Sequence, residues 1–392
     1  MLREDNERMT RVGPGTPGGE MLRRYWWPVA IADHVGNKPV KVRLLAQDFV
    51  LYRSLEGTLG LLDQHCAHRN ASLEFGRVEA RGLRCCYHGW LYDEKGNCLD
   101  QMCEPDGGAG YREKIKQGAY PVIEKSGMIF AYIGPLPVPH FPKWDVVFDE
   151  NSNKFVQGRD MHGNWVQRAE NMLDALHVMA LHASVYPELA AQRPKVLEYN
   201  ERWYGVDMYL EYPNGIRDRH HYMFPACNRV QVARAGQRPY QFIQWATPVD
   251  DTTSISYQIW AQSGDPPPYK VVGAQYQKTV AGEYKRVEDE WWGIWERDQD
   301  DAAVESQGLV TDRTREHLAS SDQGIVKFRR MLMRSIDAVE RGEPAFASTP
   351  PNDDVVMLET YKTLVNDPTQ IRNPALGEQL KVIRPYDLET AK

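Results

Sequence analysis

Between residues 40 and 135 the chain alternates apolar and polar positions in short runs. "VKVRLLAQDFVLYRS" alternates, "LEGTLGLLD" turns at Gly57, and "GMIFAYIG" is a β-rich run closed by glycine. Period two with glycine punctuation predicts a small antiparallel β domain over 38–135. The pattern stops at "GPLPVPHFPKW", residues 134–144, whose four prolines can neither pair inside a sheet nor continue a helix. Residues 136–145 therefore read as a linker.

Beyond the linker the period changes. "WVQRAENMLDALHVMALHAS" has helical spacing, and "WYGVDMYLEY", "QFIQWATPV" and "TSISYQIWAQ" are strand-like. Residues 275–306 and 312–342 carry charged and apolar positions at helical spacing, and the proline- and asparagine-rich tail beyond 343 reads as extended. The pattern predicts a larger α+β domain over 146–392, with 1–37 left as an N-terminal segment packing on it. There is no internal repeat.

Composition narrows the class. At 392 residues and a net charge of -7, two or three domains fit, and the acidic balance argues against nucleic acid as a partner. The opening "MLREDNERMT" is charged throughout, and no apolar run approaches the ~18 residues of a membrane helix, so the expectation is a cytoplasmic chain without a membrane partner. Six cysteines in so long a chain do not make a disulfide framework, and four of them crowd between 85 and 103. Metal ligation is the better explanation.

Two constellations carry that chemistry. In "HCAHRN" and "LRCCYHGW", Cys66 and His68 are followed, after sixteen residues, by Cys85 or Cys86 with His88. Two thiolates and two imidazoles can hold zinc, or a [2Fe–2S] cluster with sulfurs on one iron and nitrogens on the other, and spacing alone does not choose. On "AENMLDALHVMALHAS", Asn171, Asp174 and His177 recur every three residues and would line one helix face. His182 follows five residues later, so the helix must end or bulge before it can converge on that face. Two histidines and a distant carboxylate are a ligand set for mononuclear non-haem Fe(II) with positions left open for dioxygen.

With both constellations in view, the chain resembles the oxygenase (alpha) component of the Rieske non-haem iron oxygenases, in the phthalate-dioxygenase-like branch. The resemblance runs from "RVGPGTPGGEMLRRYWWPVA" through CxH, a sixteen-residue spacer and CxxH to the NxxDxxHxxxxH helix and "ESQGLVTDRTREHLASSDQG". It implies an all-β Rieske domain followed by a catalytic domain of helix-grip type, an antiparallel sheet flanked by helices. It assigns Cys66, His68, Cys85 and His88 to one [2Fe–2S] cluster, since only Cys85 stands three residues before His88. His177 and His182 become ligands of one Fe(II) per subunit. The family's iron carboxylate stands five residues before a late glutamate, which from Glu305 gives Asp300, with Asp298 and Asp301 selected by a slip in register. Asp174 matches a carboxylate that, in a head-to-tail trimer or dimer of trimers, accepts hydrogen bonds from His177 and from His88 of the neighbour. Asn171 supports the site one turn earlier.

The resemblance further implies a terminal oxygenase that activates O2 to hydroxylate or dihydroxylate an aromatic substrate, an aromatic carboxylate above all. Electrons come from an NAD(P)H-dependent reductase, directly or through a ferredoxin. O-demethylation of a methoxy-aromatic acid by monooxygenation is the alternative. A Rieske-type electron carrier is disfavoured because it needs neither the histidine helix nor so long a second domain, and a zinc-stapled binding protein ranks below it. Arg217, Arg219, His220, His221, Arg229, Arg234 and Arg238 form a basic run from which a carboxylate clamp could come, and Asp207 and Tyr209 alternate with apolar Met208 and Leu210. His65, His162, His317, Cys98, Cys103 and Cys227 fit no ligand position.

Overall fold

The computed structural model describes residues 1–183, 189, 193–232, 240–263, 271–285, 294, 296–358 and 360–363. Its first part is built of three small antiparallel sheets. Trp26–Ile31, Met128–Tyr132 and Val122–Lys125 form one; Val40–Leu44, Gln47–Arg53, Leu59–Asp63 and Ala119–Tyr120 a second; Arg77–Glu79, Gly82–Arg84, Trp90–Tyr92 and Cys98–Gln101 a third. The first sheet recruits its outer strand, "WWPVAI", from the N-terminal segment.

The rest of that segment serves the second part. Helices α1 (Arg3–Thr10) and α2 (Pro17–Leu22) pack on α6 (Gln323–Glu340), and Arg8 binds Asp337 and Glu340 at its surface. Thr16 caps α2 by accepting the Gly19 N–H at 3.2 Å, with Pro17 at the first helical position.

The second part is a nine-stranded sheet. Its order is Val196–Arg202, Gly205–Glu211, Arg217–Met223, Cys227–Val232, Tyr240–Pro248, Ser254–Ser263, Ser152–Met161 and Val271–Gln277, with Tyr361–Thr363 pairing beside Arg217–Met223. Every pair is antiparallel except Ser152–Met161 with Val271–Gln277, which adds one parallel pair at the end of the otherwise antiparallel sheet that the resemblance implies. Val271–Gln277 also corrects the helical reading of 275–306: the helix α5 spans only Glu296–Glu305, and 286–293 lie outside the described residues. Likewise α6 occupies only the latter part of 312–342.

The two faces of this sheet are covered differently. Val206, Met208, Tyr222 and Ala246 pack with α6 and with helix α4 (Trp165–Leu173). Met223, Ile243, Trp245, Tyr257 and Ile259 pack on the opposite face with the short helix α3 (Asp145–Phe148) and with Phe130 of the first sheet. Trp165, Val166, Ala169, Met172 and Leu173 form the apolar stripe of α4, and burying each large one stabilises the fold by roughly 1.5–3 kcal/mol. Asn164 fixes where α4 begins. Its Oδ1 accepts the Val166 N–H at 3.1 Å, while its amide donates to Thr10 O at 2.8 Å and Asp251 O at 2.7 Å, tying α4 to two distant segments.

Candidate metal centres

Two loops of one design present the cysteine and histidine pairs. In the first, Cys66 N–H donates to Ala71 O at 2.9 Å and Asn70 N–H to Cys66 O at 2.9 Å; in the second, Cys85 N–H donates to Trp90 O at 2.8 Å and Gly89 N–H to Cys85 O at 3.1 Å. Each turn closes on a left-handed residue, Asn70 at φ 57° and Gly89 at φ +69°. Gly89 is needed there twice over, because a Cβ would also meet Met102 at 2.7 Å. Counted from these hydrogen bonds, Cys85 matches Cys66, and Cys86 matches Ala67. Cys66 and Cys85 are buried and Cys86 is exposed.

The imidazoles lie beside the thiols. His68 and His88 face each other with ring centroids 4.7 Å apart, and His68 lies flat on Trp90 at 4.2 Å with planes 2° apart. Buried Gln117 pins the first loop by accepting the Ala67 N–H at 2.7 Å and donating to Asp63 O at 3.0 Å and His65 O at 2.9 Å. Hydrogen bonding with Cys85 leads the effects that pull the Cys66 thiol down to about 5; burial opposes it, and the Tyr92 hydroxyl, 3.2 Å away, adds to it. The same contact pushes Cys85 up, and burial adds to that rise. Metal ligation by both sulfurs removes this conflict over one proton.

The donor set fits two metal ions better than one. Among the described residues, only His177, His182 and Asp300 bring three ligand atoms within 4.8 Å of one another. Cys66, His68, Cys85 and His88 are more spread than a tetrahedral zinc site at bonds of about 2.0–2.3 Å would hold them. They suit a cluster that shares its ligands between two irons.

The second centre departs from the predicted helix. Asn171 lies on α4, but α4 ends at Leu173, and Asp174 turns out at φ -78° and ψ 94°. The Asp174 carboxylate takes the Leu176 N–H at 2.9 Å, so it competes with the helix for a backbone donor and stops it. His177 then opens a short 3-10 turn, His177–Met179, which brings the chain back toward His182. The Nδ1 of His177 meets the backbone carbonyl of Asp174, not its carboxylate as the family resemblance implies. The Nδ1 of His182 donates to Gln299 Oε1 at 2.8 Å. Both Nδ1 atoms are thereby occupied as donors, which leaves both Nε2 atoms as lone-pair ligands.

Both Nε2 atoms point at one oxygen. Asp300 Oδ1 lies 3.4 Å from His177 and 3.3 Å from His182, and it accepts from Asn171 Nδ2 at 3.1 Å. Burial would raise this carboxyl, but the two histidines hold it well below the usual carboxylate range. Burial would likewise lower His177, and Asp300 with Asp174 outweighs it, so that imidazole sits above its ordinary value. The neighbouring carboxylates point elsewhere: Arg159 on the sheet lies 2.8 Å from Asp298 and 2.6 Å from Asp301. The register that selects Asp300 is thus the one in which the histidines and the carboxylate meet.

The basic run fares differently. Arg229 is bound through two nitrogens to Asp145, at 3.1 and 3.2 Å, on the sheet face that α3 covers, and Arg219 binds Asp207 at 2.9 and 2.7 Å. Asp207 also holds Arg202 at 3.0 Å, and His221 meets the Tyr204 hydroxyl at 2.7 Å. Arg219, Arg229 and Asp207 thus neutralise one another or their neighbours. Arg234 and Arg238 lie outside the described residues. Gln117, Gln299 and Arg159 had no mark in the sequence, since each acts through a contact with a residue far along the chain.

A β domain whose loops gather two cysteines and two histidines is thus joined to a helix-topped sheet in which two imidazoles surround one carboxylate, giving two candidate metal centres. Comparison with known proteins makes the class specific. Residues 25–113 match the family described as Rieske [2Fe-2S] domain, and residues 222–380 the one described as LigXa C-terminal domain like. The chain is 36% identical to 5,5'-dehydrodivanillate O-demethylase oxygenase subunit of Sphingobium sp. (strain NBRC 103272 / SYK-6), over 87% of this chain and 81% of that protein. It is 33% identical to phenoxybenzoate dioxygenase subunit alpha of Ectopseudomonas oleovorans, over 86% of each. A solved structure, "Pseudomonas putida CBB5 NdmA QL mutant with caffeine", shares the fold at 20% identity and a TM-score of 0.66, over 85% of this chain and 96% of that one. The chain belongs to the Rieske non-haem iron oxygenases, as an oxygenase component. It carries a Rieske [2Fe–2S] domain. No helix among the described residues is long and apolar enough to cross a membrane.

Proposed function

We propose that Cys66, His68, Cys85 and His88 hold the [2Fe–2S] cluster and that His177, His182 and Asp300 hold one Fe(II), where dioxygen is activated against an aromatic carboxylate. The convergence of two Nε2 atoms on one Asp300 oxygen carries this reading. Fe(II) in such a facial set of three protein ligands supplies open positions at which dioxygen can be reduced beside a substrate carbon.

The protein's own groups do the rest. Gln299 and the Asp174 carbonyl fix the imidazole tautomers, and Asn171 steadies the carboxylate. His68 and His88 are half-buried at the outer side of the cluster loops, beneath exposed Tyr87 and Arg69, where an electron can leave toward another subunit. Asp174 is half-buried and commits one carboxylate oxygen to Leu176. This supports a role for Asp174 in joining the centre to His88 of a neighbour in a ring trimer, with a reductase as the electron source.

The names of both sequence relatives specify aromatic carboxylates, which supports that substrate class. A second reading, O-demethylation, is favoured by the first of them. Either outcome consumes one O2, two electrons and two protons. Dihydroxylation places both oxygens on the ring; demethylation inserts one into a methyl C–H bond, releases the other as water, and the hemiacetal gives a phenol and formaldehyde. Oxygen uptake with a reductase and a panel of benzoates, phthalates and methoxybenzoates tests the reading, and the product, cis-diol or formaldehyde, separates its two forms. Asp174→Ala is expected to lose turnover while both metal centres stay loaded, and a fully active Asp174→Ala would contradict the inter-subunit role.

A further inference from the structure

The metal carboxylate is gripped from behind. Asp300 Oδ1 takes both histidines and Asn171, while its second oxygen, Oδ2, faces the guanidinium of Arg168 at 3.8 Å. Arg168 stands one turn before Asn171 on α4 and donates to Asn171 Oδ1 at 2.8 Å. Its side chain is only 7% exposed, and among the described residues the one carboxylate within 4.0 Å of it is Asp300.

A row of neutral amides holds this buried cation. Gln244, Gln258 and Gln157 stand directly opposite one another on the three strands Tyr240–Pro248, Ser254–Ser263 and Ser152–Met161. Gln244 and Gln258 are hydrogen-bonded, and Gln258 meets Gln157 at 2.6 Å. With its oxygen turned to Arg168, Gln244 accepts from Nε at 3.3 Å and Nη2 at 3.0 Å. Turning Gln258 and Gln157 with it keeps both amide contacts of the row hydrogen-bonded, with each contact's direction reversed. Leaving a guanidinium here is costly unless its donors are satisfied; Gln244 takes Nε and Nη2 and Asn171 takes Nη1, both of them neutral amides.

We propose that Arg168 is a positioning residue that restrains the second oxygen of Asp300, so that this carboxylate offers the metal one oxygen and leaves the adjacent coordination position open. A carboxylate can bind a metal through either one oxygen or two. The guanidinium sets that choice by engaging Oδ2 and by repelling a dication that drifts toward it. The inference rests on the reading that His177, His182 and Asp300 hold the metal.

The test strips the mononuclear site with a chelator, keeps the cluster in place, and titrates the full-length protein with Co(II), whose visible bands report coordination. Arg168→Gln is expected to bind Co(II) about threefold to tenfold more tightly, with altered bands as the second oxygen enters. Arg168→Lys restores the charge and is expected to return both readouts toward wild type. Gln244→Leu loosens Arg168 without removing its charge and is expected to alter the bands to a smaller extent. A folded Arg168→Gln with wild-type affinity and bands overturns the proposal, as does weaker binding with wild-type bands, which marks Arg168 as packing alone. If Arg168→Gln does not fold, Gln244→Leu decides, and unchanged bands in it count against the proposal. Wild-type protein that takes up no Co(II), or His177→Ala that binds it as wild type does, overturns the site reading itself.

Discussion

The two candidate metal centres are assembled in opposite ways. Cys66, His68, Cys85 and His88 come from two turns of matching hydrogen bonds, each closed by a left-handed residue four positions after its cysteine. His177, His182 and Asp300 meet only because a helix stops at Leu173, a short turn returns the chain, and a helix more than a hundred residues later docks against both. A centre made by local turns tolerates change elsewhere in the fold, whereas one made by docking depends on every contact that sets the approach of its parts. The difference predicts which substitutions are felt at which centre.

The largest effect falls within the second cluster loop. Cys85→Ser is expected to lose the iron–sulfur absorption and with it turnover, whereas exposed Cys86→Ser keeps both. Visible spectra of the two purified variants decide it, and the reverse result would break the equivalence of the two turns. Next comes the docked centre. Gln299→Leu frees the Nδ1 of His182 and is expected to weaken Fe(II) binding by about 10–100-fold while leaving the cluster spectrum untouched. Chelator competition measures it, and unchanged affinity would mean that the turn after α4 orients His182 without help from α5.

The smallest effect belongs to a buried charge that serves neither centre. Lys154 is buried beside Ser152, and burial lowers its amine to about 8. The unfolded chain therefore binds more protons than the native one between pH 8 and 10.5, so this residue's contribution to stability rises with pH across that window. Lys154→Met is expected to be more stable than wild type at pH 7, by on the order of 1–3 kcal/mol, with the difference shrinking above pH 8 and metal content unchanged. Urea unfolding at the two ends of the window checks the sign.

The same contrast explains what could be read from the sequence. The cluster residues stand out because each pair lies within one short turn, but spacing left Cys85 and Cys86 open, and only the resemblance chose Cys85; the turn hydrogen bonds that support it are visible in the fold alone. The β domain was legible from period and glycine punctuation. The helix through His177 was not, because Asp174 spends its carboxylate on Leu176 and ends α4 where periodicity carries on. Residues 275–277 open the run read as helical, yet they end the strand Val271–Gln277, which pairs in parallel with Ser152–Met161, a partner that local pattern does not reveal. Asp300 is one of three nearby aspartates on α5, and only tertiary structure sends Asp298 and Asp301 to Arg159. Gln299, Gln117 and the amide row behind Arg168 leave no local signature at all, since their roles consist of contacts across the fold.

Four cysteine and histidine residues sharing two irons, with His177, His182 and Asp300 holding one more, would give each chain three irons. Metal and acid-labile sulfide per chain, measured on purified wild type, His177→Ala and Cys85→Ser, test it most directly. About three irons and two sulfides are expected in wild type, about two irons with the sulfide retained in His177→Ala, and about one iron without sulfide in Cys85→Ser. A colourless wild-type protein with stoichiometric zinc, or His177→Ala with its full iron content, would contradict it.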